Sequence, residues 1–319
     1  MTTPAIGIAA ALGSAASWAL GAILFKRIGE SMSPLAMTLV KSVVSVIFLG
    51  IALVFLGFTA ITPHNLTLLA ASGLVGIAVG DTLFFAALQY LGPQTLVILM
   101  MVGQVLTALL ALVYLGERPS AAAWGGMACV LAGVTIVLWA NLSGERQRSR
   151  ARGLVLGLLS VACMSVSVIM AKPALESMSA MQGTFVRMFA GAAGLAGYGV
   201  FARRLGEWFA SCRDARLAGS FFVAVCVVTF GGFWLSLLAI KHVDVAIANT
   251  LNSMEPVFVL PLAAIFLKEK ITPPQIIGTL VALAGVVVLC KWNPVPSERQ
   301  HSRENIEYSA SKTVFFCDR

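Results

Sequence analysis

The chain predicts an all-α integral membrane protein of ten transmembrane helices, arranged as two inverted five-helix repeats. Composition is the first observation behind that reading. Of 319 residues 59% are hydrophobic and only 11% are charged, with a mean hydropathy of +0.91, more apolar surface than a soluble core needs. The second is the texture of the apolar runs. They are long and uniformly apolar, without the alternation of a barrel strand, and helices and closed barrels are the only architectures that satisfy a backbone in lipid. The third is an internal repeat, set out below.

In chain order the spans lie near 5–25, 35–57, 66–89, 94–115, 121–140, 154–171, 181–201, 218–240, 245–267 and 274–291. Proline stands near most entrances (Pro4, Pro34, Pro63, Pro93, Pro119, Pro173, Pro273), where a missing N–H does least harm. No basic stretch precedes the first apolar run, so it reads as a retained span rather than a cleaved signal. This divides the chain into a first repeat (1–141), a basic linker (142–153), a second repeat (154–292) and a polar tail (293–319) expected to be disordered.

Glu30-Ser-Met-Ser33 recurs as Glu176-Ser-Met-Ser179 at an offset of 146, which also matches Lys26 with Lys172, Thr38 with Thr184 and Lys41 with Arg187. Further on the offset becomes 152. It then matches Gly80 with Gly232, Leu115-Gly-Glu-Arg118 with Leu267-Lys-Glu-Lys270, and Leu131-Ala-Gly-Val134 with Leu283-Ala-Gly-Val286. Chance similarity among apolar segments does not produce ordered matches that include charged residues. Five spans is an odd number, so the second copy enters the membrane from the opposite side, the inverted architecture of secondary transporters.

The ninth span carries Glu255 near its middle. An acid at that depth is expensive and marks a functional site by default. Pro256 follows, and as a helix-interior residue it would kink the span and free the carbonyl of Asn252. Asn249, Asn252, Ser253 and Pro256 share a helical stripe with Glu255 on its shoulder, a polar notch that predicts substrate or proton binding. Asp81 in the third span is a second candidate. Trp18 and Trp234, with Phe84 and Phe85, are expected to form an aromatic wall, because both tryptophans lie too deep for an interfacial belt. Lys41 and Arg187 are expected to snorkel to the headgroups. Gly76 with Gly80, and Gly153 with Gly157, are spaced for close helix packing.

Taken together, Leu115-Gly-Glu-Arg118, the Leu-Ala-Gly-Val that follows it, Glu255-Pro-Val-Phe258 and Ser17-Trp-Ala-Leu-Gly21 resemble the EamA branch of the drug/metabolite transporter superfamily, over residues 5–292. The resemblance implies two EamA repeats and a carrier of small metabolites, amino acids or related solutes, commonly exported across the bacterial inner membrane. The family often has proline in the fourth span where this chain has Gln104, the position paired with Pro256. The first notch is therefore expected to lack a kink and to offer an amide instead.

A net charge of +8 would suggest nucleic acid in a soluble protein, but the cations sit in short connections beside apolar runs, where they set topology and meet lipid headgroups. Their bias places the odd-numbered connections in the cytoplasm and both termini outside, whereas several relatives are described with cytoplasmic ends. The six Cys are scattered, and neither a disulfide framework nor a metal site is expected. His occurs only at 64, 242 and 301, with no nucleophile–base pair, so the chain is not read as an enzyme and no cofactor is expected. A divalent-cation channel or carrier built on Asp81 and Glu255 is the alternative. The expected partners are the bilayer, a small-molecule substrate and, through Glu255, protons in antiport. Nucleic acid is excluded and a homodimer is left open.

Overall fold

A computed structural model describes residues 3–115, 121–142, 147–175, 178–210, 214–235, 238–239, 251–252, 254–268 and 271–292. Asn249, Ser253, Pro119 and the tail 293–319 lie outside the described residues, as do the side chains of Gln104 and Trp234. Among the described residues every regular element is helical.

The first repeat contributes α1 (Thr3–Ile28), α2 (Pro34–Leu56), α3 (Pro63–Leu91), α4 (Pro93–Met100, continued after Met101 as Val102–Leu115) and α5 (Ala121–Leu142). The second contributes α6 (Gln147–Leu175), α7 (Ala180–Phe201), α8 (Ala215–Cys226, continued as Val227–Trp234), α9 (Glu255–Leu267) and α10 (Pro273–Trp292). Six helices, α1 to α4 with α6 and α7, are long and apolar enough to cross a membrane; apolar stretches of α5, α8, α9 and α10 are shorter. Pro34, Pro63 and Pro93 open their helices as expected, and Ser33 and Thr62 cap α2 and α3 by accepting from the N–H groups of Ala36 and Asn65. Pro173 does not open a helix; it lies inside the last turn of α6.

The contacts between helices are those of two halves that exchange places. Helix α1 packs on the second half of α8, and α6 packs on the matching part of α3; α1 meets α9, and α6 meets α4; α2 meets α7, and α5 meets α10. The α5–α10 pair is close because it is made of glycine. A Cβ on Gly133 would stand 2.4 Å from the backbone of Gly278 and Ala282, and one on Gly285 would stand 2.6 Å from Gly126 and Val130. Gly126 and Gly133 are repeat-equivalent to Gly278 and Gly285. Because the lower-numbered glycine of one helix faces the higher-numbered one of the other, these equivalent helices run antiparallel.

The third helix of each half widens to π-helical geometry, over Leu74–Asp81 and Val227–Trp234. A wide turn breaks the ordinary hydrogen-bond ladder, and a serine from the other half meets each one. Ser14 Oγ donates to the carbonyl of Gly232 at 2.7 Å, and its equivalent Ser160 donates to the carbonyl of Gly80 at 2.8 Å. The change in repeat offset from 146 to 152 falls between α7 and α8, where the second half holds a short linking helix, Leu205–Ala210, of six residues. The outer surface is apolar, with Phe55, Trp139 and Phe201 more than three-quarters exposed, as a lipid-facing wall requires.

Candidate functional site

Helix α9 has 13 residues, which reach about 20 Å, too short for a hydrocarbon layer of about 30 Å. Its far end is fixed by Lys268 in the left-handed conformation and by Arg27, which donates to the carbonyl of Phe266 and lies 5.8 Å over that ring. Glu255 is the first residue at the other end, deep between the helices. Pro256 therefore opens α9 rather than kinking a continuous span. Its absent N–H falls in the first turn, where no intrahelical acceptor exists. Glu255 thus stands in the first turn of α9, at the positive end of the helix dipole.

The fourth helix is interrupted at the matching place, contrary to expectation. Met101 is a turn residue whose N–H reaches back only to Ile98. Its repeat-equivalent is Ser253, just before α9. The first half has no proline here and breaks all the same, so the interruption belongs to the fold and not to Pro256 alone.

These breaks flank a cavity of about 490 Å³. Its wall includes three repeat-equivalent pairs, Trp18 with Met164, Ala22 with Val168, and Gly103 with Glu255, so the cavity sits where the two halves meet. The wall is mostly apolar and aromatic, with Phe25, Phe84 and Phe85 in edge-to-face contact. A small number of polar groups in an apolar hollow of this size is the usual form of a small-molecule site.

Of the residues that stand out in the sequence, Glu255, Asp81 and Trp18 meet in this wall, together with Phe84, Phe85 and Lys41. Trp18 packs against Gly232, whose Cβ, were there one, would stand 2.8 Å from the indole. Asp81 is 7% exposed and forms an ion pair with Lys41. Lys41 does not snorkel: its ammonium points inward, to Asp81 and to the face of Phe85 at 5.6 Å. Arg187 also turns inward, donating from Nη2 to Ser167 Oγ at 3.0 Å. Taking charge this deep is tolerable only with partners, and a rotamer reaching the headgroups would have left Asp81 uncompensated. The repeat match between Lys41 and Arg187 was the signal that both are interior residues.

Asn252 is half-buried before the start of α9 and is not part of the described wall. Met100, Thr107 and Met188 also line the cavity; Met100 and Thr107 lie one turn either side of Gln104, and Met188 is next to Arg187. Among the described residues the Glu255 carboxylate meets no hydrogen-bond donor or cation. Also among the described residues, no three of His, Cys, Asp and Glu gather as metal ligands would.

The arrangement defines a multi-pass membrane protein with a solute-sized cavity between two like halves. The EamA-like transporter family matches residues 5–139 and 151–290, and the chain belongs to that family. An uncharacterized transporter of Archaeoglobus fulgidus is 42% identical over 48 residues, which are 15% of this chain and 17% of that protein. A solved crystal structure is similar over 91% of this chain and 97% of its own, with a TM-score of 0.55 and 16% identity, a likeness of fold.

Proposed function

We propose that the protein is a secondary active transporter of ten spans that exports a small organic metabolite, an amino acid or related solute, across the bacterial inner membrane. The repeats are inverted, the cavity between them opens alternately to either side, and Glu255 carries the coupled proton. The observation that supports this most is the lone carboxylate of Glu255, set at the start of an interrupted helix in the wall of a cavity shared by both halves. An acid kept at that depth with no counter-ion among the described residues costs stability, and proton exchange with a gradient gives it a role.

Asp81 and Lys41 neutralise each other, which leaves Glu255 as the other ionisable group among the described residues of the wall. Trp18 and the phenylalanines offer flat apolar surface to the body of a solute. Thermal-shift screening of the purified protein against a metabolite panel, followed by counterflow in proteoliposomes with any hit, identifies the cargo. Glu255→Gln is then expected to keep insertion and solute exchange while gradient-driven flux falls roughly a hundredfold. Coupled flux at the wild-type rate in that variant would remove Glu255 from the mechanism.

A further inference from the structure

Lys41 on α2 and Arg187 on α7 hold the same place in the two repeats, yet Asp81 has no twin. The residue 152 positions on is Phe233. Two interior cations therefore share one aspartate. In the structure Lys41 holds it. Arg187 is left with the Ser167 hydroxyl, and its buried Nε has no hydrogen-bond partner among the described residues.

Arg187 is nevertheless docked along the helix that carries Asp81. Its backbone carbonyl lies 2.2 Å from where a Cβ on Gly73 would stand, and its Nη2 lies 3.5 Å from the corresponding point on Gly76. Only glycine at position 73 lets the arginine backbone lie so close, and only glycine at position 76 leaves room for its partner Ser167, whose Oγ lies 2.2 Å from where that Cβ would stand. Gly76 and Asp81 are five residues apart, one turn of the π-helical stretch Leu74–Asp81, and the aspartate is within electrostatic reach of the guanidinium.

We infer that Asp81 changes partners during the transport cycle, from Lys41 to Arg187, and that Lys41, Asp81 and Arg187 are positioning residues that hold the two halves in each access state. The inference rests on the alternating-access reading above. Breaking a buried ion pair by withdrawing one member is costly, whereas passing the anion to a second cation keeps one pair formed at the start and at the end. The exchange requires that α2 and α7 slide in opposite senses past α3, a shear of α2 within its own half as well as of one half against the other, so that one contact lengthens as the other shortens. The orphaned Nε of Arg187 is the donor that the second state satisfies.

Hydrogen–deuterium exchange on the full chain in nanodiscs tests this through the connections 29–33 and 57–62, which lie at opposite ends of α2. Lys41→Gln is expected to move exchange at the two ends in opposite directions by roughly tenfold, and Arg187→Gln to move both the other way. Asp81→Asn abolishes the response to either change, and Lys41→Arg retains the wild-type pattern. If Lys41→Gln alone fails to fold, Lys41→Gln combined with Asp81→Asn leaves no lone anion and is compared with Arg187→Gln in the same background, where no opposition is expected.

Wild-type peptides with two exchange populations at both ends support the alternating-access reading by themselves. Lys41→Gln and Arg187→Gln shifting exchange in the same direction, or persisting in their effects without Asp81, would overturn the partner exchange while leaving that reading intact. Wild-type exchange confined to one end in a single population would overturn both.

Discussion

The two halves of the molecule agree in backbone and disagree in charge. Each has a third helix that widens to π geometry, a fourth that is interrupted, and a fifth that meets its equivalent through glycine. The serine that spans from α1 to Gly232 is repeated from α6 to Gly80 with a difference of 0.1 Å, 2.7 against 2.8 Å. The interior cations Lys41 and Arg187 follow this pattern, but the acids do not. Asp81 corresponds to Phe233, and Glu255 corresponds to Gly103. Interactions that hold the frame occur twice, and acids that face the cavity occur once. Two access states of similar energy require a frame whose halves can trade conformations. A directed transport step needs a charge whose environment differs between those states.

That division is most severely tested by moving the acid across the axis. Gly103 lines the same cavity as Glu255 from the other half, and a Cβ there would meet only Val161 and Ser165 side-chain atoms at 3.7 and 3.8 Å, ordinary contact. Adding Gly103→Glu to Glu255→Gln is expected to restore gradient-driven flux to about a tenth of wild type, roughly tenfold above the single variant, the residual loss reflecting imperfect placement. Flux in proteoliposomes measures it. No recovery, with the double variant folded, would mean that the start of α9 supplies something a carboxylate alone does not, and the halves would differ in more than charge.

The frame itself is probed at α5 and α10. Gly133→Ala forces a methyl to within 2.4 Å of backbone, and Gly285→Ala does the same at 2.6 Å. Each is expected to destabilise by about 2 kcal/mol, and by similar amounts, because overpacking a contact made by backbone leaves nothing to rotate away. Gly125→Ala on the same face-free stretch of α5 meets nothing within 4 Å and is expected to stabilise by a few tenths of a kcal/mol through helix propensity. Thermal unfolding in detergent separates the signs. Unequal costs at Gly133 and Gly285 would show that the α5–α10 contact is less symmetric than its sequence.

Much of this frame is legible in the sequence because lipid imposes a crude rule that apolar runs obey. Helix starts at Pro34, Pro63 and Pro93 follow from the proline N–H deficit, and the paired glycines follow from the repeat offset. The site is legible in part. Glu255, Asp81 and Trp18 stand out because each is anomalous for its depth, and the structure brings them together. What the sequence concealed is local geometry decided by partners on other helices. The interruption at Met101 has no proline to announce it, and the inward turn of Lys41 depends on Asp81, 40 residues away. The apolar run continues through Pro256 and so predicts a kink there, because hydropathy does not register where a helix begins inside such a run.

A loss smaller than that of the glycine contacts is the sharpest measure of symmetry. Ser14 and Ser160 are both fully buried, and each has a glycine carbonyl in a wide turn as its acceptor. Replacing either hydroxyl by hydrogen leaves that carbonyl without the donor, at a cost of about 1 kcal/mol. Ser14→Ala and Ser160→Ala are therefore expected to lower thermal stability equally, and the double variant to lose the sum, since each serine has its own acceptor. If Ser160→Ala costs more, the excess belongs to its acceptor's neighbour: Gly80 directly precedes Asp81, and loosening that turn would loosen the aspartate, whereas Gly232 precedes Phe233 and carries no charge to misplace. A transport defect in Ser160→Ala without one in Ser14→Ala, at matched stability, would locate the functional difference between the halves at this single turn.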